Sequence, residues 1–158
     1  MAVAAGSQHS LALKADGTVW AWGWGEFGQL GDGSATDRWM PVQVGPLAGV
    51  IAIAAGAAHC LALKDDGTVW AWGANRSGQL GDGTTTWGRP TPVQVRGLTR
   101  VVAIAAGSTH GLALKTDGTL WAWGENYAGQ LGNGTTTQQL TPVQVTGIAG
   151  IIAIAAGG

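Results

Sequence analysis

The sequence predicts an all-β fold, a β-propeller built of four-stranded antiparallel blades, and three observations carry that reading. The chain repeats itself: AVAAGSQHSLALKADGTVWAWG at 2–23 recurs at 52–73 and again at 103–124, with 17 of 22 positions identical between the second and third copies. Each copy carries an Asp-Gly step between two apolar runs, the dipeptide that accepts the positive φ of a tight hairpin. The strand after it, Val19-Trp20-Ala21-Trp22 in the first copy, is apolar at odd and even positions alike. Such a strand has two faces to bury, so each small sheet must be covered on both sides. Stacking successive sheets around an axis meets that need.

The elements follow in order within each copy. A strand of small residues ends at Ala-Ala-Gly; its glycines Gly6, Gly56, Gly107 and Gly157 set spacings of 50, 51 and 50 residues. Its Ala-rich composition suits the crowded place nearest the axis, where large side chains do not fit. Leu-Ala-Leu-Lys forms the second strand, and the hairpins Asp16-Gly17, Asp66-Gly67 and Asp117-Gly118 lead into the third. A glycine-rich connection then reaches Pro-Val-Gln-Val, whose proline suits the first residue of a strand. The repeats are 2–51, 52–102 and 103–152, with 153–158 as the first strand of a further blade, all within one propeller segment, 1–158.

Composition limits function. Charged residues are only 11% of the chain and the net charge is -1, so no basic field is available to hold a phosphate backbone, and nucleic acid is not an expected partner. The apolar run from Leu47 to Leu63 is broken by Gly49, Gly56 and His59, which reads as two short strands and not as a membrane span. The single Cys60 excludes an internal disulfide, and its counterparts Ser10 and Gly111 mark the slot as one for a small residue. The first ten residues show no signal peptide, and compartment stays open, cell surface included.

The motifs HxLALKxDGT, WAWG, GQLGDG, PVQV and AIAAG resemble the repeat of the regulator of chromosome condensation family. That resemblance implies propellers of typically about seven blades, so three repeats make an open arc or part of a larger propeller. It also implies candidate activities: nucleotide exchange on a small GTPase, or enzyme inhibition of the kind shown by a related bacterial inhibitory propeller. The acidic balance and the absence of a basic tail weigh against chromatin attachment. Carbohydrate binding by Trp39 and Trp87 is a further alternative.

Residues common to every copy read as structural. His9, His59 and His110 share one position and are expected to hydrogen-bond backbone in a neighbouring turn; successive blades hold them too far apart for one metal ion. The pairs Trp20/Trp22, Trp70/Trp72 and Trp121/Trp123 are expected to pack blade on blade. No acid pair, nucleophile with its base, or cofactor loop stands outside the repeat framework, so neither catalysis nor a bound cofactor is expected.

Function is expected where the copies differ. One variable window holds Trp24, Glu26, Phe27, Asn75, Arg76, Glu125, Asn126 and Tyr127; a second holds Asp37, Arg38, Trp39, Trp87, Arg89, Gln138 and Gln139. Tryptophan, tyrosine and arginine dominate binding hot spots, so these loops are candidates to meet a protein partner or copies of the chain itself, assembled head to tail as a ring or filament.

Overall fold

The computed structural model describes residues 1–157. Twelve strands form three four-stranded antiparallel sheets, one for each repeat. The first sheet runs β1 (Ala2–Ala5), β2 (His9–Leu13), β3 (Val19–Gly23) and β4 (Arg38–Gln43), in that spatial order. The second runs β5 (Val50–Ala55), β6 (His59–Lys64), β7 (Val69–Ala74) and β8 (Gly88–Gln94). The third runs β9 (Val101–Ala106), β10 (His110–Lys115), β11 (Leu120–Gly124) and β12 (Gln139–Gln144). No helix among the described residues is long and apolar enough to cross a membrane.

The hairpin at each β2–β3-type turn forms as its sequence demands. Gly17, Gly67 and Gly118 all adopt positive φ near 77°. The preceding Asp16, Asp66 and Asp117 accept the backbone N–H and hydroxyl of the threonine two residues on, the local bond that makes aspartate a turn former. That threonine hydroxyl in turn accepts the indole N–H of Trp20, Trp70 or Trp121 at 3.0–3.3 Å, while Lys14, Lys64 or Lys115 lies over the ring.

The sheets are stacked, and alternate residues of a single strand enter different cores. Leu11, Leu13, Val19 and Ala21 of the first sheet meet Cys60, Ala62 and Trp72 of the second. From the opposite side of that second sheet, Leu61, Leu63, Val69 and Ala71 meet Ala113 and Trp123 of the third. Each sheet is therefore apolar on both faces because it sits between two neighbours, or has a place for one.

The small-residue strands β1, β5 and β9 are innermost. Their following turns converge, with residues 156–157, on an axial cavity of about 230 Å³ lined by alanine, glycine and serine. A chain of backbone bonds links these turns: Ser7 N–H to Ala57 O at 3.2 Å, Ala57 N–H to Ser108 O at 3.1 Å, and Ser108 N–H to Gly157 O at 3.2 Å. Of residues 153–158, expected as a first strand, 153–157 take this inner position without forming strand pairs, and residue 158 lies outside the described residues.

Candidate partner-binding rim

The histidines differ from expectation. Instead of bonding backbone, each ring packs on the glycine of its own turn: a Cβ at Gly6, Gly56 or Gly107 would lie within 2.2 Å of the imidazole of His9, His59 or His110. Glycine there is a matter of space. His9 Nε2 reaches the thiol of Cys60 in the next blade at 3.1 Å, whereas neither nitrogen of His59 makes a hydrogen bond of good geometry. Burial pushes His9 down to about 4 and His59 to about 3. The Cys60–His9 contact is one that the sequence did not signal, since the two residues lie in different repeats. Burial raises the thiol well above its ordinary pKa and seals it from solvent, so the pair is a packing contact and not a nucleophile with its base.

In the second and third blades the second tryptophan of the pair anchors a junction with the blade before it. Trp72 and Trp123 are fully buried, and their indole N–H groups donate to the carbonyl oxygens of Gln29 and Gln79 in the preceding blade at 3.0 and 2.9 Å. The same glutamines turn their side-chain oxygen to the N–H of Phe27 and Ser77, closing the loop. This explains the recurrent Gln-Leu-Gly triplet: glutamine shapes the loop, leucine fills the core at Leu30, Leu80 and Leu131, and glycine at 31 and 81 leaves room for the incoming indole.

The variable windows divide into framework and free surface. Asn75 and Asn126, expected at a partner surface, are fully buried. Asn75 Nδ2 donates to Thr84 O and Oγ1 and to Asp82, and its Oδ1 accepts Leu80 N–H; Asn126 repeats the pattern with Thr135, Asn133 and Leu131. These amides staple the long connection, and no partner can reach them. Asp37 substitutes for that staple in the first blade by accepting Gly25 N–H. Arg38 and Arg89 are held by Asp32 and Asp82 at 2.7 and 3.1 Å. Partial burial raises both carboxyls, but bonds from Ser34 or Thr84 and from the arginines outweigh it and hold them below the usual range. Glu125 accepts Thr109 Oγ1 at 2.5 Å, and Gln139 donates to Thr137 O; Gln138 is half-buried.

What remains is an aromatic rim where the first two blades meet. Trp24 meets Phe27 edge to face at 5.1 Å, and Phe27 meets Trp87 at 5.2 Å. The guanidinium of Arg76 lies 3.6 Å above the Trp87 ring, and Trp87 is 50% exposed. Glu26 is exposed in the same loop as Phe27, and Tyr127 stands 72% exposed on the third blade. Trp39 belongs elsewhere: its place in the first blade is that of Pro90 and Leu140, which pack on Gly28 and Gly78 of the preceding blade.

The sequence profile of the RCC1-like domain matches residues 1–158. The chain belongs to this family. It is 39% identical over 142 residues to the ultraviolet-B receptor UVR8 of Arabidopsis thaliana, covering 87% of this chain and 32% of that protein. It is 37% identical over 152 residues to the E3 ubiquitin-protein ligase HERC2 of Homo sapiens, covering 86% of this chain and 3% of that one. The crystal structure of Prp20p from Saccharomyces cerevisiae, described with its binding to Gsp1p and histones, superimposes with a TM-score of 0.86 at 24% identity, over 99% of this chain and 41% of that one. The chain thus spans under half the length of each, and the shared element is the stacked-blade architecture of RCC1-like propeller repeats.

Proposed function

We propose that this RCC1-like chain is a non-enzymatic protein-binding module, one propeller segment of repeats 2–51, 52–102 and 103–152, whose partner site is the aromatic rim of Trp24, Phe27, Trp87 and Arg76. One observation carries the reading: these side chains differ from copy to copy, cluster across a blade junction and stay in reach of solvent. The second blade junction packs without them, its corresponding positions being Ala74, Ser77, Tyr127 and Thr137. Arg76 has no acidic partner among the described ion pairs. Stacking fixes its guanidinium plane, so that its N–H groups are pre-aligned for an incoming carboxylate. The partner that fits presents an apolar side chain to the indole faces and an acid beside it. Such central aromatic and arginine anchors carry most of the energy of an interface.

The test is binding-partner capture from a lysate of the source cell followed by purified titration, comparing the chain with Arg76→Ala and Trp87→Ala. A loss of affinity of at least tenfold in each variant, with an unchanged melting temperature, is the expected result. Equal affinity of both variants places the partner site elsewhere. A glycan array run in parallel reports whether the exposed indoles serve sugars instead.

A further inference from the structure

The second sheet lies between two neighbours, so the groups its loops leave in solvent are left there by the finished stack. Away from the rim, one of these loops departs from both sister copies. After β8 the chain reads Arg96-Gly97-Leu98-Thr99-Arg100, where the first copy has Gly45-Pro46-Leu47-Ala48-Gly49 and the third has Thr146-Gly147-Ile148-Ala149-Gly150. Leu98 is buried in the core, while Arg96, Thr99 and Arg100 are exposed. The second copy is also the basic one. Five cationic residues stand against three acids in it, where the first copy has two against four and the third has one against two.

Arg100 holds a conformation that suits glycine. Its φ is 58°, in the left-handed region, and the glycines in its place, Gly49 and Gly150, hold 71° and 70°. Backbone bonds clamp it there. Thr116 N–H donates to Arg100 O at 2.9 Å, as Asp65 N–H donates to Gly49 O at 2.8 Å, and Val101 N–H donates to Gly67 O at 3.1 Å. A residue with a Cβ carries steric strain at this φ that glycine does not. Nothing inside the fold offsets it, since neither Arg96 nor Arg100 makes an ion pair among the described residues. Asp117 of the next hairpin is held below the usual carboxylate range first by Thr119, with Lys115 and then Arg100 as smaller influences. Strain held where both sister copies have glycine calls for a role of the side chain.

Arg96 borders a surface depression of about 370 Å³ lined also by Gln94, Val95 and Gly97. Its guanidinium lies over Gly83, 3.2 Å from where a Cβ would stand, and the Gly97 N–H has no backbone acceptor among the described residues. We propose that loop 96–100 is a second partner site, which takes the carboxylates of an acidic protein segment on Arg96 and Arg100. It goes beyond the aromatic rim. The pairing of Ala74 with Gly88 and of Trp70 with Gln94 puts the rim and this loop at opposite ends of β8, roughly 20 Å apart. A polyphosphate chain suits the loop less well, because the hairpins carrying Asp66 and Asp117 flank Arg100 and a continuous anionic backbone would run over them. Separate side-chain carboxylates can each take one guanidinium by two parallel bonds.

Fluorescence anisotropy of a labelled hexaglutamate peptide, titrated with the full chain at low ionic strength, reads the site. Saturable binding that weakens with salt is expected, with a loss of about fivefold or more in Arg96→Ala/Arg100→Gly. Arg100→Gly alone is expected to lower affinity while raising the melting temperature, because glycine removes the strain and the charge together. Lys14→Ala takes one exposed charge from the first blade and is expected to leave the titration unchanged. Absence of saturable binding up to about 1 mM chain, undiminished binding by the double variant, or tighter binding of inorganic phosphate or a DNA duplex than of the peptide each overturns the proposal. Loss of binding in Arg76→Ala with the double variant intact places the peptide on the rim, and the proposal fails while the rim reading stands.

Discussion

Trp22 and Trp72 occupy one position of one repeat, in strands that differ by no residue between Val and Gly, yet Trp72 is sealed and Trp22 is half-exposed. The whole difference is the neighbour: Trp72 has the first blade's Gln29 carbonyl to bond and its loop glycine to lie against, and Trp22 has none. The comparison teaches that burial in a stacked-repeat protein belongs to the junction and not to the blade, so identical sequence carries unequal energy along the arc.

The sharpest way to break that comparison is truncation of the two indoles. Trp72→Ala is expected to lower stability by about 3–5 kcal/mol, the usual cost of emptying a buried aromatic site. Trp22→Ala, measured by urea unfolding at a concentration low enough to keep the chain single, is expected to cost less than half as much. Equal losses would mean that the blade, and not the junction, sets the energy. Next in size are the loop glycines. Gly28 and Gly129 both hold φ near 77°, so alanine strains the backbone at either by about 1 kcal/mol. Only at Gly28 does a Cβ also strike the next blade, 2.4 Å from Pro90 Cα. Gly28→Ala is therefore expected to lose clearly more stability than Gly129→Ala under the same conditions.

Acid acts by degrees, and its effect is read as a slope per pH unit. The folded-state pKa values of His9 and His59 lie near 4 and 3, below the ordinary 6.5, because burial disfavours the charged ring. Below pH 6.5 the unfolded chain therefore binds protons that the folded one refuses. Stability is constant above that pH and falls as pH drops towards 4, by up to about 1.4 kcal/mol per unit for each such histidine. His110 faces the open end beside Glu125, whose charge opposes the lowering by burial, so it contributes less. His59→Leu is expected to flatten the slope between pH 6 and 4 in pH-dependent urea unfolding, and His110→Leu to leave most of it. The depressed carboxyls, Asp16, Asp66 and Asp117 among them, add a separate loss only below pH 4.

Most of the fold was legible because it rests on local rules. The Asp-Gly hairpins, the two-faced apolar strands and the period of about 50 residues each translate directly into structure. The rim was half legible. Variation between copies singled out Trp24, Phe27, Arg76 and Trp87, but the same criterion singled out Asn75 and Asn126, which are buried staples. Their recurrence in the second and third copies, with Gly25 in the first, was the available signal that this position serves the loop. The histidines were assigned a backbone partner on polarity alone, whereas packing against glycine decides their place.

By itself the sequence determined the blade: its strands, its turns and its need for cover on both faces follow from residue type and spacing, which act over a few bonds. Only the tertiary structure decided which copies of a residue are buried, which loop residues are free and that His9 meets Cys60. Those outcomes depend on groups about 50 residues apart brought together by stacking, and no local pattern records the distance between them.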